Sequence, residues 1–239
     1  MINYFRSVVF HILYATSAIL AGMFAVTFYY VFPKPLARKI INRWNFFVVA
    51  AANAVCGIRY RIEFPEGEPD LSKNYVIMAK HQSAWETFYL QTLFRPMSTI
   101  LKKELLKLPF FGWGLARLNP VAIDRANPLK ALKQVKSDGV ARIRSGRNLL
   151  VFPEGTRVEP KQTGKYARSG AEIALACNVD VIPVAHNAGS FWLNKQFVKK
   201  PGVITVVVGK PISTVGKTSR EVTELVQNWI ETQQARIEP

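Results

Sequence analysis

The chain has 239 residues, enough for one sizeable α/β core with an appendage. Lysine and arginine outnumber aspartate and glutamate 32 to 16, and the resulting formal charge of +16 calls for anionic partners, either nucleic acid or anionic lipid. An apolar content of 49% excludes a disordered basic tail, and two cysteines outside any CxxC pair, Cys56 and Cys177, exclude a disulfide framework and a cysteine zinc site and fit a reducing, cytosolic setting.

No acidic residue precedes Glu63. Val8 to Phe32 is a 25-residue apolar run broken only by His11 and a few hydroxyls, and about 20 such residues cross a bilayer as a helix. Tyr29 and Tyr30 stand at its end, where an aromatic belt would lie. A basic segment follows with Lys34, Arg38, Lys39 and Arg43, and then a second, shorter apolar stretch, Trp44 to Ile58. Two arrangements compete. Either the first run crosses the membrane with its basic flank in the cytoplasm, or the two runs form a helical hairpin dipped into one leaflet, which is slightly favoured. A cleaved signal peptide has an apolar region of roughly 7–15 residues, shorter than this run.

From Arg59 the pattern becomes α/β. Residues 59–64 alternate as a strand, 65–70 are a turn cluster, and 75–80 form a short apolar strand that feeds His81. A helix is expected over Ala84 to Phe94 and a short strand over Ser98 to Leu101. Residues 102–118 begin helical and break at Pro109. Pro128 to Ile143 is helical, 148–152 a core strand, and Lys165 to Cys177 helical. Residues 180–185 and 203–209 are β-branched strands, and Ser219 to Ile237 is a closing amphipathic helix. Strands alternating with helices predict a single α/β catalytic domain, residues 59–239, with a mixed, mainly parallel sheet flanked by helices. A membrane-associated helical segment, residues 1–58, precedes it. The chemically loaded residues fall just after strands, where open α/β sheets place their sites.

His81 and Glu86, in KHQSAWETF, are the first candidates. A histidine can take a proton from an alcohol near neutral pH, and a carboxylate on its other ring nitrogen fixes its tautomer. The same residues read equally as a helix start, since Ser83-Ala84-Trp85-Glu86 is an S-x-x-E capping box in which Glu86 satisfies a backbone N–H. Arg125 and Arg157 each follow a strand-like segment and present a planar fork suited to phosphate. Gly155 allows a close backbone approach, and Asp124 and Glu154 can hold the arginines, either in a phosphate site or as plain loop ion pairs. Lys102 and Lys103 either add phosphate-binding charge or form a solvated face. The basic residues are dispersed without an RNP, zinc-finger or helix-turn-helix signature, so nucleic acid is not the expected partner. Anionic lipid is, at roughly 1 kcal/mol per basic residue near the surface.

With these stretches in view, the chain resembles the glycerophospholipid acyltransferase family over about residues 50–212. Four blocks stand in order: Lys80-His81 through Glu86 for the usual NHxxxxD, Pro120 to Arg125, the unbroken FPEGTR of Phe152 to Arg157, and VIPV, Val181 to Val184. The resemblance implies an acyltransferase of phospholipid biosynthesis. It would move a fatty acyl group from acyl-CoA or acyl carrier protein to the sn-2 hydroxyl of lysophosphatidic acid, giving phosphatidic acid; another lysophospholipid or glycolipid acceptor is the alternative. A non-catalytic basic membrane-binding module is a further alternative, against which the intact FPEGTR block argues. The resemblance implies that His81 is the base and Glu86 its partner. It also implies that Arg125 and Arg157, with Glu154, Gly155 and Thr156, form the acceptor's phosphate site, which Lys102 or Lys103 joins, and that VIPV shapes a substrate channel. Beyond the acyl donor it implies no cofactor and no metal. It places the enzyme on an anionic membrane with the catalytic domain on the cytoplasmic side. Two departures stand out: Glu86 replaces the family's Asp, and Lys80 replaces its Asn, putting a cation beside the base. The second block also lacks the usual Gly and Phe.

Overall fold

The computed structural model describes residues 1–28, 31–124 and 128–238. Two long helices come first, α1 (Ile2–Phe28) and α2 (Lys34–Cys56), followed by β1 (Ile58–Glu63), β2 (Val76–Ala79), α3 (Trp85–Leu93) and β3 (Met97–Lys102). A 3₁₀ turn (Lys103–Lys107) leads into α4 (Phe111–Ala116), β4 (Val121–Ile123), α5 (Pro128–Arg144), β5 (Asn148–Val151) and α6 (Ser169–Cys177). The chain closes with β6 (Val181–His186), β7 (Gly202–Val208) and α7 (Ser219–Ile237).

Among the described residues the strands form one seven-stranded sheet in the order β1-β7-β6-β2-β5-β3-β4. Neighbours are parallel except β6 and β7, so the sheet is mixed and mainly parallel, as the alternation of elements predicts. Successive strand side chains point to opposite faces. Ile77, Ala79, Leu150, Ile182 and Val184 face one core with α2 and α3, while Val76, Met78, Leu149, Val151 and Val181 face another with α5, α6 and α7. Coverage on both faces explains why β2, β5 and β6 are buried throughout and read in sequence as continuous apolar runs. The parallel strands β2, β3, β4, β5 and β6 end at one edge, and His81, Lys102, Asp124, the 152–157 loop and His186 all follow from it.

The basic segment after α1 is not a linker. It is the first half of α2, with a proline in its first turn, where a missing N–H costs nothing. Helix α2 ends at Gly57, whose φ of 70° is the left-handed conformation that caps a helix, and its N–H returns to Ala52 and Asn53. The pair is an antiparallel hairpin: Trp44 Nε1 donates to Ser17 Oγ at 3.1 Å, and Ala25 packs against Ala37 and Ile41. Helix α1 is also held by the sheet domain. Lys199 N donates to Ser7 Oγ at 2.8 Å, Tyr14 meets Phe88 edge-on at 5.9 Å, and Gly22 abuts the Phe110 backbone. These contacts make the two helices a hairpin docked lengthwise on the sheet domain. Its outer side is apolar, with Ile12, Ile19, Leu20, Met23 and Phe28 exposed. Only 17% of its most apolar stretch is buried, and α1 is long and apolar enough to cross a membrane. Tyr29 and Tyr30 lie outside the described residues.

Two expected helices are shorter than their patterns. Residues 102–118 divide into the end of β3, the 3₁₀ turn and α4, because Pro109 interrupts the helical bonding and α4 restarts at Phe111. Residues 165–168 are drawn out of α6: Ala167 N donates to Pro153 O at 2.8 Å and Tyr166 Oη to Glu231 at 2.8 Å.

At Gly22, α1 lies directly against the backbone of Phe110, the residue that leads into α4. A Cβ there would stand 2.3 Å from the Phe110 backbone, which cannot move aside as a side chain can. Gly22→Val should destabilise the fold by roughly 1–3 kcal/mol, lowering the thermal midpoint of the detergent-solubilised protein by several degrees. An unchanged midpoint would show that the α1–α4 contact is looser than described.

Candidate active site

The chain leaves β2 at Ala79 and re-enters a helix at Trp85, and the five residues between carry the site. His81 Nδ1 lies 2.9 Å from Glu86 Oε1, which also accepts the N–H of Gln82 at 3.0 Å and of Ser83 at 2.8 Å. Glu86 is fully buried. A carboxylate facing a ring nitrogen can only accept, so Nδ1 carries the hydrogen and Nε2 is left as the bare, basic nitrogen. The cap and the dyad, alternatives in the sequence, share one oxygen. The capping box itself is incomplete, because Ser83 Oγ takes the N–H of Trp85 at 3.1 Å. At α7 the reciprocal box is complete, between Thr218 and Glu221. Burial pushes the Glu86 carboxyl up, but the fields of His186 and His81 and the hydrogen bonds from His81 and Ser83 outweigh it and hold it below the usual glutamate range. Phe152, from FPEGTR, stacks on the His81 ring at 3.9 Å and 13°, fixing its plane.

His81 opens on a cavity of about 930 Å³, at the upper end of the range for small-molecule sites. Its polar wall includes His81, Lys102, Gly155, Thr156 and Arg157, and apolar side chains come from α1, α2, α3, the 3₁₀ turn and α4, with Ile100, Ile123 and Val151 from the sheet and Val135 from α5. Small residues on the helices, Ala18, Ala21, Gly22 and Gly114, leave the space open. A Cβ on Gly155 would meet nothing within 4 Å, so that backbone stands open to a ligand. Arg157 Nη1 donates to Asn194 Oδ1 at 2.9 Å.

Several expectations need correcting. Glu154 neither pairs with Arg157 nor lines the cavity. Its Oε1 takes Lys80 Nζ at 2.9 Å and Gly164 N at 3.1 Å, and its Oε2 takes His81 N at 3.1 Å, so it builds the loop behind the base. Lys80 is no loose cation beside His81; its side chain is 1% exposed and ion-paired with Glu154 and Glu231. Lys102 lines the cavity, whereas Lys103 is exposed outside its wall, because the chain turns into the 3₁₀ helix between them. The VIPV block does not line this cavity: it is the buried heart of β6, paired with β2. Arg125 lies outside the described residues.

Residues the sequence did not single out complete the site. Asn194 and Lys195 join the polar wall from the loop after β6. His186 is buried, its Nε2 2.8 Å from Lys80 O and its Nδ1 accepting Ala188 N at 3.3 Å, so its hydrogen sits on Nε2. Burial pushes its pKa down against the opposing pull of Glu86, and it stays neutral. The one signal in sequence was its place directly after VIPVA.

Comparisons with known proteins agree on the family. A family model described as Acyltransferase matches residues 59–187. A 1-acyl-sn-glycerol-3-phosphate acyltransferase of Pseudomonas aeruginosa is 40% identical over 98% of this chain and 92% of its own length. A protein of the same name from Saccharomyces cerevisiae is 29% identical over 67% of this chain and 55% of its own. In fold, the chain is similar to the crystal structure of the 1-acyl-sn-glycerophosphate (LPA) acyltransferase PlsC from Thermotoga maritima. The TM-score is 0.79 at 22% identity, covering 99% of this chain and 98% of that one.

The two depressed groups act on stability in the same sense. The unfolded chain takes up a proton at position 186 as pH falls through the ordinary histidine value of 6.5, and the folded chain only at lower pH. Glu86 contributes stability above the ordinary glutamate value of 4.5 and loses it as pH falls through its lower folded value. The thermal midpoint should therefore fall in two stages on acidification, and His186→Gln should flatten the first. An identical first stage in that variant would mean that His186 is not buried neutral.

Proposed function

The chain belongs to the acyltransferase family, and we propose that this enzyme transfers a fatty acyl group from a thioester to the sn-2 hydroxyl of lysophosphatidic acid, giving phosphatidic acid. The thioester is acyl-CoA or acyl carrier protein. The observation that carries the reading is a histidine with one nitrogen bound to a buried carboxylate and the other bare, on the wall of a cavity that also holds Arg157. Relatives that match along most of this chain are named for that reaction.

The acceptor hydroxyl meets His81 Nε2, which takes its proton as the oxygen attacks the thioester carbonyl. The imidazolium that forms is stabilised by Glu86, ionised because its carboxyl is held below the usual range. The tetrahedral intermediate expels the thiolate, and the proton on Nε2 passes to sulfur, leaving the ester, the free thiol and neutral His81. No acyl-enzyme is required. Ser83, the hydroxyl nearest in sequence, is fully buried and committed to the Trp85 N–H. Arg157 and Lys102 supply charge for the acceptor's phosphate, and the apolar remainder of the cavity suits a fatty acyl chain.

The site works at a membrane surface, with the α1–α2 hairpin in the cytoplasmic leaflet and the catalytic domain on the cytoplasmic side. Supporting this are the exposed apolar side of α1 and the basic flank Arg38, Lys39 and Arg43 on α2. Basic residues near an anionic surface contribute about 1 kcal/mol each.

Purified enzyme should acylate lysophosphatidic acid in preference to monoacylglycerol and to lysophospholipids with larger headgroups. Loss of an arginine–phosphate bond costs about 1.5–3 kcal/mol, so Arg157→Ala should raise KM for lysophosphatidic acid about tenfold or more. KM for the acyl donor should change much less. Equal effects on both substrates would contradict the phosphate assignment, and a preference for another acceptor would replace lysophosphatidic acid with that lipid.

A further inference from the structure

Among the described residues Lys80 is the largest charged side chain that is fully buried, and it stands directly before His81. An ammonium group has three hydrogens to place, and burial makes each unplaced one costly. All three are placed: on Glu154 Oε1 at 2.9 Å, on Glu231 Oε1 at 2.9 Å and on Gln162 O at 2.8 Å. Glu231 belongs to α7, the last helix of the chain, 151 residues away.

Both carboxylates reach further. Glu154 Oε2 accepts the His81 backbone N–H at 3.1 Å, and the His81 carbonyl accepts Val158 N at 2.8 Å. The 152–158 loop thus grips the backbone of His81 on both sides of its Cα, while Phe152 from the same loop stacks on its ring. Glu231 accepts Tyr166 Oη at 2.8 Å and, through its other oxygen, Thr163 Oγ1 at 2.7 Å. Burial, then the charge of Glu231, pushes the Tyr166 hydroxyl far above the usual tyrosine range, so it remains a donor. The end of α7 adds its own ties: Gln234 Oε1 accepts His186 N at 2.9 Å, and Glu238 accepts Gln82 Nε2.

We propose that Glu231 is a positioning residue for His81, acting through Lys80 and Glu154: the C-terminal helix supplies the second counter-charge that lets a buried lysine lock the FPEGTR loop against the base. This rests on the reading of His81 as the base only where turnover is measured; the geometric coupling stands apart from it. The charge count gives the network a direction. One cation faces two carboxylates. Removing the Glu231 charge leaves a matched Lys80–Glu154 pair, whereas removing the Lys80 charge leaves two carboxylates facing one another without a cation. Loss of Lys80 is therefore the graver change, and loss of the Glu231 charge relieves it.

The test uses the full chain in detergent, comparing Glu231→Ala, Glu231→Gln, Lys80→Met and the double variant Lys80→Met/Glu231→Gln. Turnover is read alongside the ring resonances of His81, which are simple to assign because the chain has only 3 histidines. A small displacement of a reacting group costs up to about 10²-fold, so Glu231→Ala should lower kcat about tenfold with both KM values within about twofold, and should shift the His81 resonances. Lys80→Met should fall further, and the double variant should recover about tenfold over Lys80→Met, a coupling that a purely additive loss of stability would not give. Wild-type kcat with unmoved His81 resonances in Glu231→Ala would overturn the proposal, as would a double variant no more active than Lys80→Met. If the resonances shift as expected while the wild-type enzyme fails to acylate lysophosphatidic acid, the network stands and the acceptor assignment falls.

Discussion

One carboxylate oxygen, Glu86 Oε1, holds the site together. It accepts a ring N–H from His81 and two backbone N–H groups from the turn between β2 and α3. A glutamate buried without such partners would be driven to its neutral form, because desolvation penalises charge more than anything else acting on it. With them it stays ionised, and an ionised Glu86 both starts the helix and keeps the hydrogen of His81 on Nδ1. The extra methylene relative to aspartate is absorbed in that turn, since the carboxylate reaches back over the N–H groups of Gln82 and Ser83 to the ring. The helix start and the chemistry therefore meet at one oxygen.

Around that oxygen the parallel sheet supplies placement. Strands β2, β3 and β5 end side by side, so residues distant in sequence arrive at one edge: His81, Lys102 and the 152–157 loop. The α1–α2 hairpin closes the cavity that this edge opens, its small residues keeping the walls apart and its outer face presenting apolar side chains. An amphiphilic substrate fits such a geometry, with a charged head at the polar wall and a chain among the helices. The same hairpin thus builds the cavity wall and offers lipid a surface.

Much of this was legible in the sequence because it is local. The strand runs, the closing helix and the mainly parallel sheet follow from periodicity and alternation, and His81 and Arg157 are marked by their place after strands. What was not legible depends on partners far apart. Lys80 reads as a cation next to the base until Glu231, on a helix 151 residues on, neutralises it. Glu154 reads as the partner of Arg157, its neighbour in sequence, whereas the fold turns it inward to Lys80 and hands Arg157 to Asn194. VIPV was legible as a strand, and the channel role that the resemblance implied for it gives way to the burial of a central strand. The cavity itself belongs to no single stretch, being enclosed by helices and loops that meet only after folding.

The central claim is that Glu86 acts on His81 as a charge and not only as a cap. Glu86→Gln keeps an oxygen for the backbone N–H groups and removes the charge, so kcat of the purified, correctly folded variant is the most direct measurement. Loss of the partner of a general base should lower kcat by about 10²-fold or more. Turnover within about threefold of wild type, far below the contribution of acid–base catalysis, would contradict the account and leave Glu86 a helix cap.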